Sequence, residues 1–160
     1  AGRDAQLSEA SEVLVQTFHP THPVLEAFKQ HDYPGFAEKE LKQRAEAGLP
    51  PYCHQALLRV DAREQAQAQA LLSAVRESMQ STPDESLAPW LDQVTLYPAV
   101  PMSLQRLANV ERAQMLVESP SRQALQRVLP RLHEALHALR GQSAHRGVIR
   151  WLVDVDPQQI

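Results

Sequence analysis

Apolar residues first cluster in the run Glu12-Val-Leu-Val-Gln-Thr-Phe18, which His19-Pro20 and His22-Pro23 close, and this pattern predicts a buried strand. After Pro23 the apolar positions Val24, Leu25 and Phe28 take helical spacing. A second helix, from Pro34 to Ala47, brings Phe36, Leu41 and Ala45 to one side before Gly48 stops it. Leu49-Pro50-Pro51-Tyr52 is then a stiff extended joint, because each proline fixes its own φ and turns its predecessor away from helix. The chain accordingly reads as two parts, 1–48 and 49–160.

Beyond the joint the period of the pattern switches repeatedly between two and 3.6. Residues 53–60 predict a strand, and Asp61 with Glu64 three positions later predicts a capping arrangement for a helix reaching Ser81. The inward stripe of that helix is Ala68, Leu71, Leu72, Val75 and Met79. Pro83 to Pro89 reads as a loop and Val94 to Val100 as a strand, with a hairpin tip at Ser103 to Asn109. Glu111 to Glu118 is the next strand, Ala113, Met115 and Val117 alternating with Arg112, Gln114 and Leu116. Ser119-Pro120 offers an N-cap and a first-turn proline for a helix whose face is Leu125, Val128, Leu129, Leu132, Leu136 and Leu139, interrupted at Pro130 and closed by Gly141. Val148 to Val155 is the last strand. Strand, helix, strand, strand, helix, strand is an α+β fold of the ferredoxin-like βαββαβ kind, with the first and third strands central and the fourth beside the first. These phases put Arg59, Arg112 and Arg150 on the face away from the helices together with Leu57, Leu116 and Leu152. Nucleic acid and a packed protein segment both suit such a face.

Composition narrows the class. Hydrophobic residues at 43% and charged residues at 22% support a folded core, and no apolar run approaches the length that spans a bilayer, so a cytoplasmic protein without membrane partners is expected. A single cysteine, Cys53, excludes an internal disulfide and a multi-thiolate zinc site, and fits the role of a small buried hydrophobe. Charge is asymmetric: residues 1–100 carry 8 Lys/Arg against 14 Asp/Glu, whereas 101–160 carry 8 Arg against 5 Asp/Glu. An arginine-only basic end suits phosphate or carboxylate, because guanidinium presents a planar fork of donors.

Several of these segments, taken in order, resemble the end of the primosomal protein N′ (PriA-type) family of replication-restart DNA helicases. The resemblance rests on Glu12-Val-Leu-Val-Gln-Thr, on His19-Pro-Thr-His-Pro23, on Tyr33, Phe36, Glu40-Leu41 and Arg44, on the Leu49-Pro-Pro51 joint, and on the closing Trp151-Leu-Val-Asp-Val-Asp-Pro157. It implies that residues 1–48 are the end of the second helicase lobe with connecting helices, and that 49–160 are a C-terminal DNA-binding domain. The whole protein would be a 3′-to-5′ ATP-dependent helicase for primosome assembly at stalled forks, with ATP, magnesium and zinc as cofactors. The present chain would hold none of these cofactors and would have no enzyme activity of its own. Arg3 would match the final arginine of helicase motif VI, which stabilises charge on the transferred phosphoryl group. Forked or single-stranded DNA, other primosome proteins and the acidic tail of single-stranded DNA-binding protein are the implied partners. The family's basic hairpin is reduced here to Ser103-Leu-Gln-Arg106-Leu-Ala-Asn109, leaving Arg106 and Arg112 for phosphate.

Arg59, Arg106, Arg112 and Arg150 are therefore the expected DNA contacts. Arg122 and Gln126, one turn apart after Ser121, are the expected contacts for the acidic tail, since a helix start offers free N–H groups to a carboxylate. His133 and His137 have the i, i+4 spacing of zinc ligands without a visible third ligand, and Asp154 and Asp156 read as strand-end acids. The alternative function is a ferredoxin-like protein-interaction domain that makes no direct DNA contact.

Overall fold

The computed structural model describes residues 14–81, 85–107 and 110–158, and the chain divides into two units, Ala1–Gln43 and Arg44–Ile160. In the first, α1 (Pro23–Lys29) begins with proline at the first helical position while His22 Nδ1 accepts the Val24 N–H at 3.3 Å. Asp32 Oδ1 accepts the Gly35 N–H at 3.0 Å where α2 (Tyr33–Glu46) begins. Neither helix buries a residue. The strand expected over 12–18 does not form in its described part: residues 14–17 carry no strand, and Leu14 and Phe18 are 87% and 99% exposed. A β-branched run becomes a strand only when a neighbour takes up its N–H and C=O groups, and none does so among the described residues.

At the other end of α2, Gly48 adopts φ +62°, and the Leu49 and Gly48 amides return to the carbonyls of Arg44 and Ala45 at 2.8 and 3.2 Å. This pair of bonds is the helix stop that glycine permits without a Cβ penalty.

The second unit runs β1 (His54–Ala62), α3 (Gln65–Ser81), α4 (Ala88–Leu91), β2 (Thr95–Leu96), β3 (Val100–Leu107), β4 (Val110–Ser119), α5 (Arg122–Arg140) and β5 (Val148–Val155), with one 3₁₀ turn at Ser143–His145. The antiparallel sheet is ordered β2-β4-β1-β5, and β3 also pairs with β4. β1 and β4 are thus central and β5 lies beside β1, which is the ferredoxin-like βαββαβ arrangement. α3 buries Ala68, Leu71, Leu72, Val75 and Met79, the stripe read from the sequence. α5 buries Ala124, Leu125, Val128, Leu132, Ala135 and Leu136, and the last five join the core of Leu58, Val60, Met115 and Val117. Pro130 sits inside α5 on its exposed side. Among the described residues, no helix is long and apolar enough to cross a membrane.

Three boundaries differ from expectation, each for a local reason. The strand expected at Val94–Val100 is broken into β2 and β3 by Tyr97-Pro98-Ala99, because proline has no N–H to give a ladder. β3 runs to Leu107, so the pairing extends well into the stretch expected as a hairpin tip. The cap of α5 is Ser121 and not Ser119: Ser121 Oγ accepts the Ala124 N–H at 3.2 Å, while Ser119 ends β4, donating to the Gln93 carbonyl at 2.7 Å and accepting the Ser121 N–H at 3.0 Å.

Leu58 lies on β1 with no exposed surface. Its replacement by alanine leaves a cavity between sheet and helices and is expected to cost about 2–5 kcal/mol, read as a lowered urea midpoint at unchanged slope.

Candidate functional site

Alternation along the strands sends odd-numbered residues of β1, even-numbered residues of β4 and, from Arg150 onward, even-numbered residues of β5 to the face opposite α3 and α5. A register shift at Asp61/Ala62 turns Val148 into the core. Arg59, Arg112 and Arg150 come together there, and so do Leu57, Leu116 and Leu152. The register sets Leu57 beside Leu116 and Asp154, Arg59 beside Gln114 and Leu152, and Asp61 between Arg112 and Arg150. Burial grades across this face, from Leu57 with no exposed surface to Leu152 at 45%.

The acids on the same face change its chemistry. Asp61 is not the cap of α3: it lies within β1, with its side chain only 9% exposed, because β1 continues two residues past the expected end. Asp61 Oδ2 accepts a hydrogen bond from Arg150 Nε at 2.6 Å, and Oδ1 lies 3.2 Å from Arg112 Nε. One carboxylate thus serves two guanidinium groups. Arg59 Nη1 lies 3.6 Å from Asp154 Oδ2, and Gln55 Nε2 donates to Glu118 Oε2 at 2.8 Å. On β1, β4 and β5 the three arginines share their face with Asp61, Asp154 and Glu118, so among these described residues positive and negative charges are equal in number. Side-chain exposure separates the arginines further, at 20% for Arg112, 26% for Arg59 and 65% for Arg150. Arg150 alone of these three is mostly open to solvent.

Cys53 is buried just before β1, and burial, then the charge of Glu118 and a hydrogen bond with it, pushes its thiol pKa up. Such a thiol stays protonated and packs as a small hydrophobe.

A second cationic surface runs along α5, which carries four arginines and a single glutamate. Arg122 and Gln126 are exposed at its start, immediately after the Ser121 cap, and the Arg127 guanidinium lies 6.0 Å from the centre of the Trp90 ring. Arg131 is 3.5 Å from Glu134, and Arg140 Nη2 donates to the Ile149 carbonyl at 3.2 Å. His133 and His137 pack edge-on against each other and against Trp151, with centroids 4.7–4.9 Å apart. Among the described residues, no third histidine, cysteine or carboxylate joins them in a group able to hold a metal ion. Arg106 belongs to β3, its backbone opposite Glu111, and Arg3 lies outside the described residues.

Sequence reasoning overlooked Asp61 as the hub of the arginine row and Trp151 as the floor beneath the two histidines. The first carried a usable signal: Leu57, Arg59 and Asp61 alternate, and extending the strand by two residues places the acid beside the arginines. The second depends on how α5 lies against β5, which no local spacing reveals.

Residues 45–158 match the family model described as the primosomal protein N C-terminal domain. All 160 residues align at 31% identity with the replication restart protein PriA of Haemophilus influenzae, and 121 residues, 76% of the chain, align at 36% with that of Synechocystis. The chain spans 20% and 14% of the lengths of these two relatives. Among solved structures, a ferredoxin-like protein from an uncultured marine organism is similar over 65% of this chain and 85% of its own, at 15% identity and a TM-score of 0.33. The fold assignment rests on strand order and not on that likeness.

Removing the hub should cost more than removing its exposed partner. Asp61→Ala strands the largely buried Arg112 and is expected to lose about 2–4 kcal/mol of stability. Arg150→Ala removes a mostly solvated ion pair and is expected to lose under about 1 kcal/mol. Chemical denaturation of the two variants measures the order, and equal losses would remove Asp61 from its central place.

Proposed function

The chain belongs to the family of the primosomal protein N C-terminal domain, and we propose that it is the recognition module of a longer ATP-driven replication-restart helicase. In this reading it contacts forked or single-stranded DNA and the acidic tail of single-stranded DNA-binding protein. The ATP- and magnesium-dependent motor and a zinc module belong to other parts of the longer protein. The observation that carries the proposal is the exposed guanidinium at Arg150 and along α5, on a fold whose relatives are named replication restart proteins.

The arginine row contributes unequally. Arg59 and Arg112 are mostly covered and already face carboxylates, so a phosphate would have to displace Asp154 or Asp61 to reach them. Arg150 has most of its surface free, and it is the member of the row assigned to phosphate. Arg122 and Gln126 stand exposed beside the first turn of α5, where an incoming carboxylate meets both a guanidinium and the positive end of a helix. That placement supports a tail-docking role.

The reading in which the domain binds only protein is favoured by the charge balance on the sheet face. Fluorescence anisotropy with a forked oligonucleotide at rising salt separates the two. Arg150→Ala is expected to lower the salt slope by about 0.9, the value for one phosphate contact on duplex DNA, while Arg59→Ala leaves it unchanged. Fork affinity that is absent, or insensitive to salt, would support the protein-only reading.

For the tail, a short acidic peptide ending in a free carboxylate is the probe. The Arg122→Ala, Gln126→Ala double variant is expected to bind it roughly tenfold more weakly, corresponding to about 1.4 kcal/mol, with fork affinity kept. Unchanged peptide binding would move the tail site elsewhere. The pure chain is expected to show no DNA-stimulated ATP turnover.

A further inference from the structure

α5 and β5 meet at an aromatic cluster that neither the tail site nor the arginine row uses. His133 and His137 are one turn apart on α5, and both are exposed. Each ring stands steeply to the indole of Trp151, at 78° and 89° with centres 4.7 and 4.9 Å away, and the two imidazoles meet each other at 62°. Trp151 lies on the helix side of β5, half-buried and packed against the core. Histidines on a helix surface are ordinarily free to change rotamer, whereas these two are held by contact with each other and with the indole. Their outward surfaces form a fixed aromatic platform.

Two guanidinium groups flank the platform. Arg140 follows His137 by three positions on α5, and its Nη2 donates to the Ile149 carbonyl at 3.2 Å. A guanidinium has five N–H groups, so that bond leaves others for an anion. Arg150 is the residue before Trp151 on β5, with its side chain 65% exposed. Glu134, the only carboxylate of α5, is already 3.5 Å from Arg131.

We propose that His133, His137 and Trp151 form a stacking site for one unpaired base, with Arg140 and Arg150 taking the phosphates on either side of it. Every base has a flat face to offer such rings, and that face is closed while the base is stacked inside a duplex. Phosphate matches the flanking guanidinium groups and the base matches the rings, so one nucleotide with its two phosphates satisfies both halves of the surface. The inference rests on the reading of this domain as a DNA-contacting module and narrows its substrate to a strand that is unpaired at the point of contact, whatever its sequence.

The fold gives that strand a path. β5 has β1 as its only strand partner among the described residues, and Arg150 and Trp151 are consecutive on it, on opposite faces of the sheet. A base lying on the α5 side has one phosphate beside Arg140, and the next is carried across the sheet edge towards Arg150. The phosphate contact assigned to Arg150 is thereby kept.

Fluorescence anisotropy with the 160-residue chain compares a single strand of mixed sequence with an equally long strand of abasic tetrahydrofuran units, which keeps the phosphates and lacks the bases. The normal strand is expected to bind roughly tenfold more tightly. The His133→Ala, His137→Ala double variant is expected to abolish that difference with the salt slope unchanged, and His133→Phe, His137→Phe to restore it, since stacking needs a ring and no charge. In Trp90→Phe protein, where Trp151 is the one tryptophan left, the normal strand is expected to quench the emission and the abasic strand to leave it unchanged. Circular dichroism confirms that each variant stays folded. Equal affinity for the two strands, or a difference that survives loss of both histidines, would overturn the proposal. Salt-dependent fork binding that persists in that case leaves the DNA reading standing and removes the stacking site alone, whereas no affinity for fork or single strand overturns both.

Discussion

β1 is hydrogen-bonded along both edges, to β4 on one side and β5 on the other, and every other element of the second unit takes its place from that double pairing. A strand held on both edges has no freedom to slip, because a shift of one residue would carry Leu58 and Val60 out of the core and Arg59 and Asp61 into it. α3 and α5 then have one covered face to fill, and they fill it with the leucines and valines of their inward stripes. The opposite face inherits whatever the other half of the alternation supplies. Here that half is arginine, aspartate and leucine, so the charges must satisfy one another across strands.

The helix-forming stripes and the alternation of β4 were legible because they depend on periodicity within a single element. Ala113, Met115 and Val117 are buried with no exposed surface, and the apolar positions of α3 are the ones a 3.6-residue period selects. The strand order was legible too, since alternating strands and helices of this length leave few topologies. What stayed hidden depended on partners distant in sequence. Asp61 has the local signature of a cap, and its true partners are Arg112 and Arg150. Residues 14–18 have strand propensity, but among the described residues no strand pairs with them, and propensity alone cannot supply one.

The candidate site shows the same division more sharply. Counting arginines located the basic end of the chain and identified three that share a sheet face. Counting could not reveal that Arg59 and Arg112 are mostly covered and stand beside Asp154 and Asp61. Formal charge describes a surface only after the pairs have been subtracted, and in this domain subtraction moves the available cation from the middle of the sheet to its edge and to α5. The functional reading follows that move.

The proline inside α5 also governs how that helix breathes. Pro130 has no amide hydrogen, so the carbonyl of Gln126 loses the bond that a residue four positions later would normally supply. The turns from Arg122 to Leu129 are coupled to the rest of the helix by one bond fewer, and what holds them down is the burial of Ala124, Leu125 and Val128. Opening the first turns would therefore break one backbone bond fewer than in an uninterrupted helix, and would expose Ala124, Leu125 and Val128 to water. Arg122 and Gln126 lie in that part of the helix, so the hold of Ala124, Leu125 and Val128 on the core sets how firmly both side chains are presented.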